Sequence, residues 1–188
     1  PEYRRQWRKL HIGIDAETLQ IRAVQLTTNN VSDSQVLEDL LDQIPLDEQI
    51  DSVYTDGAYD TKHCRKVISD RQAHAVIPPR KNAKPWKDKK LRSLERNELL
   101  KTVKCLGRAI WKKWSGYHRR SLVETKMHCI KLLGDKLSAR SFQSQVNEIH
   151  ARVAVLNKFM ELGCIFLHKP TTYSYSFPTT YSCSKSAT

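Results

Sequence analysis

Between residues 7 and 77 the spacing of apolar side chains switches from rough alternation to helical periodicity and back, twice, and this restricts the chain to an α/β arrangement. Residues 7–15 and 21–26 roughly alternate around a polar stretch at 16–20, which predicts an antiparallel hairpin. Asn29 and Asn30 break the pattern, Ser32 or Asp33 can cap, and Val36, Leu37, Leu40, Leu41 and Ile44 follow at helical spacing until Pro45. Residues 50–55 read as a short strand ending at Asp56, and Gly57 lets the chain turn there. A helix is expected over about 60–71, with Asp60 as its cap, and then a strand over 73–77 that Pro78-Pro79 ends. The expected product is a mixed sheet flanked by helices, followed by long helices, the last over about 141–162.

The formal charge of +12 implies a polyanionic partner. Ribosomal, membrane-surface and chromatin-type proteins share such a balance, so the position of the charge has to decide. Residues 80–113 carry thirteen Lys or Arg against three acids, so the excess is concentrated in one segment, read here as a basic insertion or helical arm. Arg80, Lys81, Lys84, Lys87, Lys89 and Lys90 are its candidate phosphate contacts. Trp111 and Trp114, three apart in the same segment, suit a core contact as well as base stacking. The five cysteines have no CxxC pair and no even framework, which fits thiols in a reducing compartment. With no long apolar run and no signal core, a cytoplasmic, nucleoid-associated protein is expected. None of the seven histidines has metal-site spacing. Residues 164–188 are expected to be an unstructured tail, thirteen of the last eighteen being Ser, Thr or Tyr.

The second polar pattern lies at Tyr117, Arg120, Glu124 and Lys131. At about 100° per residue, a helix brings offsets of three, seven and fourteen to within roughly 60° of one another. Leu122, Val123, Met127, Ile130 and Leu133 fall towards the other side, as in a helix that packs one face. Composition alone reads the polar stripe as a solvated charged face. An acid flanked by Arg and Lys also suits joint binding of a metal and a phosphate.

Tyr-x2-Arg-x3-Glu-x6-Lys resembles, spacing for spacing, the signature around the catalytic glutamate of a large group of bacterial insertion-sequence transposases, DDE-type enzymes with an RNase H-like catalytic domain. Thr55-Asp56-Gly57-Ala58-Tyr59-Asp60 resembles the segment with that group's second catalytic aspartate. Residues 7–15, 76–81 and 156–158 are also similar to the family, and the resemblance spans residues 4 to about 163, with the basic arm inside it. It implies Asp56 and Glu124 as catalytic and metal-binding carboxylates, Mg²⁺ or Mn²⁺ as cofactor, and DNA at element ends and targets as partner. It further implies a homo-oligomer on DNA, in which Arg120 and Lys131 contact the nucleic acid and Tyr117 stacks on a base or supports the helix. An ordinary turn aspartate remains the plain reading of Asp56, and an exposed helix lysine that of Lys131.

In an RNase H-like fold three strands precede the first helix, and the first carries the first aspartate. Only two precede it here. Asp15 ends what should be the second strand of that fold, at the hairpin turn, and reads as a turn residue. The first strand and its aspartate are therefore expected to lie outside this chain, leaving an incomplete catalytic domain that is inactive alone. The rival expectation is a non-enzymatic DNA-binding remnant or inhibitor.

Overall fold

The computed structural model describes residues 7–88 and 90–163. The hairpin forms as its alternation requires: β1 (Arg8–Ile14) pairs antiparallel with β2 (Ile21–Thr28), with Ile12 opposite Val24. Asp15 shapes the connection, its carboxylate accepting from the Glu17 N–H and the Thr18 hydroxyl, each at 2.8 Å. A one-turn 3-10 segment begun by Ser32 leads into α1 (Leu37–Asp42), which buries Leu37, Leu40 and Leu41. Next come β3 (Ser52–Tyr54), α2 (Lys62–Asp70) and β4 (His74–Val76), with β4 parallel to β3.

The helix cap falls one residue later than expected. Thr61 caps α2, its side chain accepting the Cys64 N–H, while the Asp60 side chain is wholly buried between two arginines. The sheet also differs. The described residues form two separate two-stranded sheets, β1–β2 and β3–β4, in place of one mixed sheet. The reason is topological: no described strand lies between the second edge of β1 and the second edge of β3, so nothing carries the hydrogen-bond ladder across.

Each sheet has its own core. Ile12, Ile21, Val24 and Leu26 pack against Cys129 and Ile130 of α5 (Ser121–Leu132) and Ile149, Val153 and Leu156 of α6 (Phe142–Glu161). On the other side, Leu37 and Leu41 of α1 meet Cys64, Val67 and Ile68 of α2 and Ile77 after β4. A smaller contact of Ala23, Val36 and Leu40 ties β2 to the start of α1.

The basic segment is helical, as α3 (Leu91–Leu106) and α4 (Arg108–Trp114). Its anchor is polar. Arg96 of α3 donates to both oxygens of Asp60, at 3.0 and 2.9 Å, and Arg65 of α2 donates to the same carboxylate at 3.1 Å. Arg96 also lies over the Trp86 ring, 4.3 Å from its centroid, and Asn97 exchanges two hydrogen bonds with the Trp86 backbone.

One continuous helix from Tyr117 to Lys131 does not form. Gly116 takes a left-handed φ of 65°, residues 117–120 make a 3-10 turn, and α5 starts at Ser121. Because a 3-10 turn eclipses positions three apart, Tyr117 and Arg120 still share a face. The packed face is shifted as well: Lys126 and Cys129 are buried with Ile130, whereas Leu133 is 42% exposed. No helix among the described residues is long and apolar enough to cross a membrane. The expected tail at 164–188 lies outside the described residues.

Candidate active site

Asp56 follows the end of β3 and begins a single 3-10 turn, Gly57–Tyr59, by accepting the Ala58 N–H on Oδ1 at 2.8 Å. The turn is pinned from behind. A side chain at Gly57 would place its Cβ 3.3 Å from the Pro78 carbonyl oxygen, so only glycine fits without the Pro78 backbone giving way. Arg80 donates to the Gly57 carbonyl at 3.1 Å and to the Ala58 carbonyl at 2.9 Å. The Pro78-Pro79-Arg80 stretch that ends the second sheet therefore supports the Asp56 turn. Asp56 Oδ2 faces outward.

Arg120 meets that oxygen. Its Nη2 lies 3.6 Å from Asp56 Oδ2, and its Nη1 lies 2.5 Å from Glu124 Oε1 one helical turn further on. One guanidinium thus joins carboxylates sixty-eight positions apart in sequence. The 3-10 turn that presents Arg120 is fixed at its base by the Ser121 hydroxyl, which donates to the His118 carbonyl at 2.7 Å. Tyr117 packs its ring against the buried Trp111, with centroids 5.7 Å apart, and Lys112 approaches the same ring. Tyr117 is therefore part of the support for this turn. Lys131 lies near the far end of α5, exposed.

Asp56 and Glu124 stand at the wall of a cleft of about 520 Å³. Its long sides are residues 12–17, from β1 onward, and residues 50–56, around β3, and its floor includes Leu37, Leu40 and Leu41 of α1. The Thr55 hydroxyl, in that lining, is buried with no hydrogen-bond partner among the described residues. Tyr59 also faces the cleft. Burial, reinforced by the Asp33 and Asp56 carboxylates, pushes its phenol up to about 12, so it stays protonated at neutral pH. Asp15 borders the cleft too, but its oxygens serve the hairpin turn. Burial acts to raise its carboxyl, and hydrogen bonds from Glu17 and Thr18 outweigh that and hold it below the ordinary value.

Two carboxylates with a combined formal charge of −2 suit a hard divalent cation. Asp56 and Glu124 would be its ligands from this chain. Among the described residues no group of three or more His, Cys, Asp or Glu side chains could hold a metal.

Of the basic candidates, Lys81, Lys84, Lys87 and Lys90 are exposed in the stretch before α3, Lys90 directly preceding it, and Lys89 lies outside the described residues. Arg80 is exposed but engaged with the Asp56 turn. Trp111 is 6% exposed and is a core residue, which removes it as a stacking platform, whereas Trp114 is 71% exposed. Sequence reasoning missed the Asp60–Arg65–Arg96 cluster, since alternation and periodicity carry no sign of a buried charge. It also missed buried Lys126, whose amine burial pushes below its ordinary value.

No solved structure matches the chain. The family model of the transposase DDE domain matches residues 1–158, a span that contains both carboxylates, the guanidinium between them and the basic arm. The chain belongs to the transposase DDE domain family.

Proposed function

We propose that this chain is part of the catalytic domain of an insertion-sequence transposase, with Asp56 and Glu124 as two of the carboxylates that serve metal-dependent DNA cleavage and strand transfer. The observation that carries this reading is their meeting on Arg120. Nothing local brings the end of β3 to α5, and an exposed ion pair alone contributes only about 0–1 kcal/mol. Stability therefore gives little reason for two acids to converge on one outward-facing point. Two bound divalent ions would supply the chemistry, one activating the attacking oxygen and the other stabilising the leaving one. The chain's own residues do the rest: Asp56 and Glu124 offer oxygens, Arg80 and Gly57 fix the Asp56 turn, and exposed Lys81, Lys84, Lys87 and Lys90 hold phosphates. Tyr117 positions the turn of Arg120.

The cleft supports an incomplete site. β1 pairs only with β2 and β3 only with β4 among the described residues, and residues of both strands line one cavity. An extended segment laid there would pair with both free edges, cover Leu40 and Leu41, and give the Thr55 hydroxyl a partner. It would join the two sheets into one RNase H-like sheet, and a carboxylate on it would complete the donor set.

The test is direct. Residues 1–188 should bind element-end DNA and fail to nick it in Mg²⁺ or Mn²⁺. A longer chain with an added Asp-bearing strand should nick it, and Glu124→Gln should abolish that activity. Nicking by residues 1–188 that is lost on Asp15→Asn would overturn the assignment. A second reading, a DNA-binding protein without catalysis, is favoured by the lack of a three-donor cluster among the described residues. It predicts that no added strand restores cleavage.

A further inference from the structure

Arg120 occupies the place between the carboxylates where a cation would sit. Asp56 commits Oδ1 to the Ala58 N–H, so Oδ2 is its outward oxygen, and that oxygen is the one facing Arg120 Nη2. Glu124 likewise turns Oε1 to Nη1. The guanidinium offsets one of the two negative charges and holds the side chains together. It also excludes a second cation. Two positive groups this close repel, the more so where solvent is partly excluded and where one of them is divalent. Arg120 is about one-third exposed, so it can leave. A phosphate diester offers the geometry that a guanidinium fork binds best, with the same charge as a carboxylate.

We propose that Arg120 is a positioning residue that keeps Asp56 and Glu124 paired while no metal is bound and releases them when a DNA phosphate takes its guanidinium. DNA binding and divalent-cation binding at this site are then positively coupled, each favouring the other by the same factor. The site becomes competent for a cation when DNA is present, and the free protein leaves its carboxylates covered. This rests on the reading of Asp56 and Glu124 as metal ligands.

Arg119 supplies the control. It carries the same charge on the adjacent residue, but its guanidinium lies over the Tyr54 ring, 5.9 Å from the centroid, and makes neither carboxylate contact. Mn²⁺ affinity of the full 188-residue chain, read from the free-ion paramagnetic resonance signal without DNA, should rise about tenfold in Arg120→Gln. It should change less than about twofold in Arg119→Gln. Adding Asp56→Asn to Arg120→Gln should abolish the gain. Arg120→Lys, which keeps the positive charge but whose single ammonium cannot span both carboxylates, should give a smaller rise than Arg120→Gln and guards against a folding artefact in either variant. A second measurement needs no metal. The double change Asp56→Asn with Glu124→Gln should tighten binding of a labelled 20-base-pair duplex severalfold more when Arg120 is present than in an Arg120→Gln background. Equal Mn²⁺ affinity in wild type and Arg120→Gln, with binding lost on Asp56→Asn, overturns the role of Arg120 and leaves the carboxylate site standing. The absence of Mn²⁺ binding to Arg120→Gln overturns it too. Mn²⁺ binding indifferent to both Asp56→Asn and Glu124→Gln overturns the site itself.

Discussion

Asp60 and Asp56 lie four residues apart, and folding gives them opposite environments. The Asp60 side chain is fully buried against Arg65 and Arg96, both nearly buried, so two positive charges are held inside the protein by one negative one. Removing one partner from a buried cluster leaves the others uncompensated and costs about 3–5 kcal/mol. Asp60→Asn should lower unfolding stability by that amount in urea titration. Asp39→Asn, an exposed acid whose contact is the Gln25 amide, should stay within about 0.5 kcal/mol. Comparable losses would show that the triad is not the anchor of the arm. The turn at Asp56 was legible because a strand end is followed by glycine, whereas its candidate role came from the resemblance of residues 55–60 to the family segment. The role of Asp60 was not legible, because Arg96, which completes its cluster, is thirty-six positions away and no local pattern encodes that distance.

Among the elements, hairpin and helices were legible because each writes its own period into the chain. The break at residues 117–120 was hidden by the same logic, since a spacing of three suits both a 3-10 turn and an α-helix. The arm was legible only as charge. Its structure divides that charge between residues that hold it in place and residues that are free to meet a polyanion. Arg96 is interior, Arg80 is engaged with a turn, and Lys84, Lys87 and Lys90 are exposed. Each phosphate contact contributes about 0.9 to the slope of log affinity against log salt on duplex DNA. Replacing Lys84, Lys87, Lys89 and Lys90 together with Gln should therefore reduce that slope by up to about three to four. An unchanged slope, read by anisotropy across a salt series, would move the DNA-binding surface elsewhere.

At the scale of the molecule, an α/β domain was legible and the division of its sheet was not. Strand pairing is nonlocal, and alternation identifies a strand without naming its neighbour. The resulting structure has two apolar clusters, one beneath β1–β2 and one around α1, α2 and β4, connected by the small apolar contact of Ala23, Val36 and Leu40 and by polar links that include Val24 to Gln43, Arg22 to Glu48 and Arg120 to Asp56. The apolar part of that junction is three buried side chains and its ion pairs are partly exposed, so the coupling it transmits is weak. The amides of β1, β2, α5 and α6 should exchange with solvent deuterium as one unit, and those of α2 and β4 as another, with separate opening free energies. Ala23→Gly, which trims the junction, should widen the gap between the two. If all these amides instead open together, with one common denaturant dependence, the protein unfolds as a single cooperative body. If the two units are distinct, whatever bridges them also couples their unfolding, so occupancy of the cleft could be followed by exchange protection at sites far from either carboxylate.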